Sequence, residues 1–276
     1  MEQAYDAIVA QRSLKTEFEA LLQCYASDKN CSFIQVLDRM DQLSDLAGIH
    51  RYTGRLLLQI CMCGIMKKYY LKEGVDEQIW YFSVQDLKWK MIECKCIYNI
   101  WGTFLDTWFQ GYFQMTRFGF EKLQFELVPF GRNYEKNGVV LTPESMVIKT
   151  HIPRTGTKLD RESKNKSYEL AATFYRERYG LDPVVFVCGS WLLFPRNKEV
   201  LSPESNLYAF ISDFDIIQHW EYEDYSQVWR LFDVNYEGNV DKLPQDTSLR
   251  RTYADWIRKG IKTGAGYGVY VFSNPH

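Results

Sequence analysis

Residues 151–158, HIPRTGTK, place an arginine, a glycine and a lysine between an apolar run and a helical pattern that begins at Asp160. A junction between a strand and a helix presents backbone N–H groups, and the helix dipole favours an anion there. Arg154 and Lys158 add positive charge, and Gly156 permits close approach of the backbone, so a phosphate suits this chemistry. The same residues also suit an ordinary glycine turn that leads into a capped helix.

The composition bounds the class of protein. The chain has 276 residues, a formal net charge of -2 and 46% hydrophobic residues, so it can bury one large core or two modest ones. Its 33 basic and 35 acidic residues are balanced, which excludes the basic footprint of a nucleic-acid-binding domain. We therefore expect a soluble globular protein whose partners do not include nucleic acid.

The cysteines and the apolar stretches bear on location. The chain opens without a signal-peptide pattern, and no apolar stretch reaches the roughly 18 residues of a membrane span. The seven cysteines include two C-x-C pairs, Cys61/Cys63 and Cys94/Cys96, within helical apolar patterns. Zinc knuckles are rich in turns, so we predict core thiols and no metal. A cytoplasmic protein without a membrane partner is expected.

The hydrophobic period changes near residue 118. Before it, apolar residues recur at three- and four-residue spacing, which predicts helices. These helical patterns cover residues 14–26, 33–49, 52–71 and 78–110. The first 118 residues are therefore predicted to form an all-helical unit.

After residue 118 the pattern is mixed. Strands are predicted at 122–130, 138–141, 145–153, 184–194, 216–223 and 266–272, and the segment GRNYEKNG is predicted to be a turn. Helices are predicted at 160–179, 202–214, 226–233 and 247–259. Asp160 is the expected N-cap and Gly180 the stop of the first of these helices, and Ser202 and Pro203 are expected to open the second. The fold class is α+β, a helical N-terminal domain followed by a mixed β-sheet with flanking helices.

This order of elements resembles the GNAT superfamily of N-acyltransferases. Three segments resemble a narrower group, bacterial proteins of the GNAT-like C-terminal domain family that carry a helical N-terminal acyltransferase-associated domain. The segments are HIPRTGTKLDRES (151–163), FVCGSWLLFP (186–195) and LSPESNLYAF (201–210). The resemblance implies two domains, residues 1–118 and 119–276. It also implies acyl transfer from acetyl-CoA or another acyl-CoA to an amine.

The resemblance implies a set of cofactor-binding residues. GNAT enzymes hold the pyrophosphate of acyl-CoA with a loop R-x-x-G-x-G/A after the central strand. The corresponding residues are Arg154, Thr155, Gly156, Thr157 and Lys158, although the first spacing is one residue short and Lys158 replaces a small residue.

The pantetheine arm in such enzymes lies where the central strand and the next strand splay apart. Here the resemblance places that gap between residues 148–152 and 185–190, with Ile152, Cys188 and Ser190 beside the cofactor, and with Asn206 on the helix that follows. Cys188 could alternatively be a nucleophile. Its apolar surroundings argue against this role, because burial raises the pKa of a thiol.

Three residues are candidates for proton transfer. By resemblance, Tyr208 donates a proton to the leaving thiolate, and the alternative is a core tyrosine. His151, at the end of the central strand, is the candidate base because an imidazole titrates near neutral pH. It could instead hold the loop by a hydrogen bond. Glu126 is a reserve base, or a solvated residue on one face of the sheet.

Two classes of function remain open from the sequence. The first is an acyl-CoA-dependent N-acyltransferase that acts by direct attack of a small-molecule or peptide amine on the thioester. The second is a binding or interaction protein that keeps the fold without catalysis. The altered loop at 154–158 is the feature that discriminates between them.

Overall fold

The computed structural model describes residues 1–27, 32–156 and 158–273. They form two compact units. The first contains residues 1–119 together with Pro153–Gly156, and the second contains residues 120–152 and the described residues from 158 onward. The segment after the predicted central strand thus groups with the helical unit, although it is distant from that unit along the chain.

The first unit is built from helices. They are α1 (Glu2–Val9), α2 (Arg12–Ser27), α3 (Phe33–Leu46), α4 (Arg51–Lys72), α5 (Glu77–Val84), α6 (Asp86–Tyr98) and α7 (Asp106–Phe113). Helices α2 and α3 each bury one stripe of their surface. In α2 the stripe consists of Leu14, Phe18, Leu21 and Tyr25, which lie on one face because they are spaced by three or four residues.

The apolar pattern at 78–110 predicted one long helix, and the structure corrects this to α5, α6 and α7. Helix α6 ends at Tyr98, and its C-cap Asn99 has a φ of 58°, a left-handed conformation that asparagine tolerates. Gly102 follows, and a Cβ there would lie 2.6 Å from the carbonyl oxygen of Tyr52. Thr103 N also donates to Tyr52 O at 3.0 Å. Contacts with α4 therefore fix a break that the periodicity does not show.

The strands form two sheets. The strands are β1 (Arg117–Phe120), β2 (Leu123–Pro129), β3 (Tyr134–Lys136), β4 (Val139–Leu141), β5 (Met146–His151), β6 (Val185–Ser190), β7 (Asp215–Glu221) and β8 (Gly264–Val271). The larger sheet has the order β1-β2-β5-β6-β8-β7, and β3 with β4 forms a hairpin. Strands β5 and β6 are parallel, whereas the pairs β2/β5, β6/β8 and β7/β8 are antiparallel. The predicted fold class is confirmed.

In the described part of the second unit there are five α-helices. They are α8 (Arg161–Tyr179), α9 (Arg196–Val200), α10 (Asn206–Ser212), α11 (Trp229–Phe232) and α12 (Ser248–Arg258). The predicted ends of α8 are confirmed: Asp160 Oδ1 accepts from Ser163 N at 2.8 Å, and Gly180 has a φ of 67°. Helix α8 packs on the sheet through aromatic rings, with Tyr168 4.8 Å from Phe186 between ring centroids.

Several predicted boundaries were wrong. Strand β6 ends at Ser190 rather than 194, because Ser190 Oγ accepts from Leu192 N at 3.2 Å and begins a tight helical turn. Helix α10 begins at Asn206 with Ser205 as N-cap, whereas Ser202 forms a local hydrogen bond with Glu204 instead. The segment predicted to be a turn contains β3, and β1 was not predicted.

The cysteines differ in exposure. Cys94 and Cys188 are buried, Cys61 and Cys63 are half-buried, and Cys96 is exposed, which corrects its prediction as a core thiol. Among the described residues, no group of three or more His, Cys, Asp and Glu side chains is placed to hold a metal ion. No helix in the same residues is long and apolar enough to cross a membrane.

Candidate functional site

The parallel strands β5 and β6 part before they end. Ile148 pairs with Phe186 and Lys149 with Val187, and no later pair joins the two strands in the described chain, although β5 continues to His151 and β6 to Ser190. Each strand keeps its antiparallel partner on the other side, β2 for β5 and β8 for β6. The sheet is therefore continuous on both sides of a gap, and the backbone groups that face the gap can pair with a polar ligand.

His151 and Glu126 meet beside this gap. His151 Nε2 lies 3.1 Å from Glu126 Oε2, and the side chains are 14% and 21% exposed. The register of β2 with β5 causes this meeting. Gln124 pairs with His151, so Glu126, two residues further along β2, projects from the same face of the sheet as His151. The sequence predicted these two residues as separate candidates, whereas the structure brings them together.

The tautomer of His151 depends on the ionisation of its partner. Opposite an ionised Glu126, Nε2 would carry the shared proton, because a carboxylate accepts hydrogen bonds and cannot donate them. In the neutral ring the lone pair then belongs to Nδ1. An imidazole with this arrangement can accept a proton at Nδ1, while the neighbouring carboxylate stabilises the imidazolium that results.

Lys149 and Tyr267 share this face of the sheet, and sequence reasoning missed both. Lys149 pairs directly with Glu126 across β2 and β5. Tyr267 pairs with Gly189 across β6 and β8, and its Cδ2 is 3.4 Å from where a Cβ of Gly189 would lie. The guanidinium carbon of Arg132 lies 4.0 Å from the ring centroid of Tyr267. Burial raises the pKa of the Tyr267 hydroxyl. The sequence could not indicate Lys149 and Tyr267, because their place beside His151 depends on how the strands pair.

The conformation of the loop after β5 is set by Gly156 and by the packing of Trp89 against it. Gly156 has a φ of 65°, and a Cβ there would collide with Cη2 of Trp89 and lie 2.7 Å from its Cζ3. Trp89 is in the first turn of α6, and Lys88 Nζ lies 4.9 Å from its ring centroid. Ile152, Arg154 and Thr155 are half-buried, and Lys158 is exposed, while Thr157 lies outside the described residues.

Cys188 is fully buried, and burial raises the pKa of its thiol to about 12. The thiol is therefore protonated near neutral pH, which agrees with its prediction as a packed cysteine. Ser190 is half-buried, and its hydroxyl oxygen is engaged with Leu192 N.

Helix α10 carries the last two predicted residues. Asn206 is its first residue and Tyr208 its third, and both are half-buried. Tyr208 N donates to Ser205 Oγ at 3.1 Å, which fixes the first turn of the helix. Lys198 Nζ lies 5.2 Å from the centroid of the Tyr208 ring.

Comparison with known proteins gives a family and a fold. The model of the GNAT-like C-terminal domain matches residues 115–270. No curated protein matches the chain.

Solved acyltransferase structures resemble the chain in fold. One in complex with decanoyl-CoA is 17% identical, with 81% of this chain and 67% of that chain covered and a TM-score of 0.66. One in complex with decanoyl-CoA and teicoplanin is 16% identical, with 93% and 76% covered and a TM-score of 0.69. A mutant acyltransferase in complex with octanoyl-CoA has the same identity, coverage and TM-score as the second.

Proposed function

Because this chain belongs to the GNAT-like C-terminal domain family, we propose that it transfers an acyl group from acyl-CoA to the amine of a small molecule. The observation that carries the proposal is the parting of β5 and β6 after Lys149 and Val187, beside the His151–Glu126 pair. Solved structures of the same fold contain decanoyl-CoA or octanoyl-CoA, and one contains teicoplanin, which supports a small-molecule acceptor.

The acyl-CoA would be held by its polar parts. Backbone N–H groups of Arg154, Thr155 and Gly156 would bind the diphosphate, and Arg154 and Lys158 would add charge. The amides of the pantetheine arm would pair with backbone groups on the facing edges of β5 and β6, near Ile152 and Ser190. Cys188 contributes a small packed side chain, and Asn206 is the candidate for a further hydrogen bond to the cofactor.

The reaction requires two proton transfers. The lone pair of the neutral acceptor amine attacks the thioester carbonyl carbon, the C–S bond breaks, and the products are an amide and the thiol of coenzyme A. His151 Nδ1 takes the proton that the nitrogen loses, and Glu126 stabilises the imidazolium. Tyr208 gives a proton to the leaving thiolate. An ordinary thiol has a pKa of about 8.5 and a phenol about 10, so this transfer is nearly balanced.

The test has a binding arm and a turnover arm. Calorimetry measures the affinity for CoA, acetyl-CoA, octanoyl-CoA and decanoyl-CoA, and a thiol reagent then follows release of CoA with a panel of amines. We expect a Kd well below about 1 mM for at least one acyl-CoA. If none binds in that range, acyl transfer from CoA is excluded. If acyl-CoA binds but no amine in a broad panel releases CoA, the non-catalytic alternative is favoured.

A further inference from the structure

The space beside Gly156 is filled by an indole ring. A Cβ on Gly156 would overlap Cη2 of Trp89 and lie 2.7 Å from Cζ3, so the ring packs directly on the backbone of the loop. The φ of 65° at Gly156 is the left-handed conformation that only glycine adopts readily. The sequence explained this glycine by the approach of a phosphate. The structure gives it a second reason, contact with Trp89.

Trp89 is itself held in place. It lies in the first turn of α6, where the preceding residues Asp86 and Leu87 are 2% and 6% exposed. Lys88 Nζ lies 4.9 Å from the centroid of the indole ring, within the range of a cation–π interaction. An indole has only two side-chain torsions, so a ring fixed at its root presents a rigid surface to the loop.

We propose that Trp89 is a positioning residue for the diphosphate of acyl-CoA, and that it acts by holding the loop at Gly156 in its left-handed conformation. This inference rests on the proposed function. A loop that is already held in its binding conformation loses less entropy when the ligand binds, so fixing Gly156 should raise the affinity for the diphosphate. Trp89 would then contribute to affinity for the cofactor through its contact with the loop.

If Trp89 serves the diphosphate, its removal should affect acyl-CoA and not a substrate that lacks the diphosphate. Acyl-pantetheine has the thioester and the pantetheine arm of acyl-CoA but not its 3′-phosphoadenosine diphosphate. Trp89→Ala should weaken CoA binding and raise the KM for acyl-CoA about tenfold, with kcat changed less than about twofold. The KM for acyl-pantetheine should stay unchanged. A variant that had merely lost stability would affect both substrates alike.

Trp101→Ala is the matched control. Trp101 lies in the same unit, is 51% exposed and has Lys95 Nζ 5.3 Å from its ring centroid, so its removal also deletes a tryptophan with a cation–π partner. It should leave both KM values unchanged. Trp89→Phe keeps an aromatic ring at this position and so disturbs the fold less than alanine does. It should give an intermediate KM for acyl-CoA. Melting temperatures of all variants show which ones are folded.

A double substitution tests the contact itself. Gly156→Ala should weaken CoA binding strongly, because its methyl group meets the indole ring and its φ is strained. In the Gly156→Ala/Trp89→Ala protein the collision is gone, so CoA should bind more tightly than to Gly156→Ala alone. Additive losses would overturn the proposed contact.

The outcomes distinguish the two proposals. A wild-type protein that does not bind CoA sinks the proposed function, and the inference with it. A wild-type protein that binds CoA, with Trp89→Ala binding equally well, overturns the inference and leaves the proposed function standing. Equal increases in the KM for acyl-CoA and for acyl-pantetheine would also overturn it, because the diphosphate would not be the part that Trp89 serves.

Discussion

Under the proposed mechanism, the pairing of His151 with Glu126 gives unequal roles to two residues that could each be a base. Glu126 would accept the hydrogen bond from Nε2, and the proton from the amine would go to Nδ1 of the imidazole. Glu126 then acts through His151, and its removal should affect the chemical step without contact with the acceptor.

His151→Ala should lower kcat by roughly 100- to 10,000-fold, the range of general acid–base catalysis, with little change in affinity for acyl-CoA. Glu126→Gln should lower kcat by about a hundredfold, because the amide has no charge to stabilise an imidazolium. Steady-state kinetics with an identified acceptor across a pH range measure both effects. His219→Ala removes an exposed histidine of β7 as the control. A His151→Ala protein with full kcat and lowered stability at every pH would show a structural histidine.

Tyr208→Phe should lower kcat by roughly a hundredfold and leave the Kd for acyl-CoA unchanged, because a proton donor acts on the chemical step. Rapid-mixing measurement of CoA release checks the chemical step directly. Tyr179→Phe, at an exposed position on α8, is the matched control. Full turnover in the Tyr208→Phe protein would show that Tyr208 is not the proton donor. Tyr267, which lies on the same face of the sheet as His151, would be the next residue to replace.

Cys188→Ala should keep turnover within a few-fold of wild type. The pKa of the buried thiol is about 12, so near pH 8 only about one thiol in ten thousand is a thiolate, too few for a nucleophile. Alkylation of the native protein followed by mass spectrometry should label the exposed Cys96 and leave Cys188 unlabelled. An acylated Cys188 trapped during turnover would contradict direct transfer.

Among the helices and strands, the sequence predicted the helix ends that nearby residues determine. Helix α8 has its N-cap at Asp160 and its stop at Gly180, as expected, because both signals lie within a few residues of the helix ends. The break between α6 and α7 depends on Gly102 and its contact with Tyr52, which is distant in the sequence. Such a contact leaves no mark on the hydrophobic period.

The candidate site divides in the same way. His151 and the loop from Arg154 were predicted from residue type at a strand end, and Glu126 from its polar place in an alternating strand, and these are local signals. Their pairing, and the packing of Trp89 on Gly156, depend on strand register and on tertiary contact. Serine at both 202 and 205 gave two possible N-caps for α10, and the structure uses the second.

Asp160→Ala should lower the melting temperature, because the carboxylate accepts the Ser163 N–H at the start of α8. These hydrogen bonds hold the pKa of Asp160 below its ordinary value. A lowered pKa in the folded state stabilises the protein above the unfolded-state pKa of about 3.9, and this stabilisation is lost as the pH falls further. The difference in melting temperature between wild type and variant should therefore shrink below about pH 4.

Calorimetric scans across that pH range measure the difference. Glu177→Ala, which removes an exposed carboxylate from the last turn of α8, is the control and should show no such loss near neutral pH. A difference for Asp160→Ala that stays constant down to the most acid condition would show that charge on the cap is unimportant.

At the scale of the whole molecule, the division into units differs from a single cut in the chain. The sequence predicts domains at residues 1–118 and 119–276, and this division stays a prediction. Contacts within the structure place Pro153–Gly156 with the helical unit, so a cut after residue 118 would separate this segment from its partner Trp89.

A fragment of residues 119–276 should therefore bind CoA at least tenfold more weakly than the full chain, because it lacks the residue that holds its loop. Circular dichroism and a cooperative melt establish first that the fragment is folded. Calorimetry then compares its affinity with that of the full chain. A folded fragment with undiminished affinity would assign the whole phosphate site to the C-terminal residues.

The parting of β5 and β6 also has a mechanical consequence. The two strands are joined at Ile148/Phe186 and Lys149/Val187 in the described chain, whereas the neighbouring pairs β2/β5 and β6/β8 are each joined at six residue pairs. Of the three lines β2/β5, β5/β6 and β6/β8, this one has the fewest paired residues in the described chain, so a pulling force would separate the sheet there into two three-stranded halves. A ligand whose amides bridge the gap would add hydrogen bonds between the two strands. The force needed to pull the sheet apart should therefore rise when the ligand is bound.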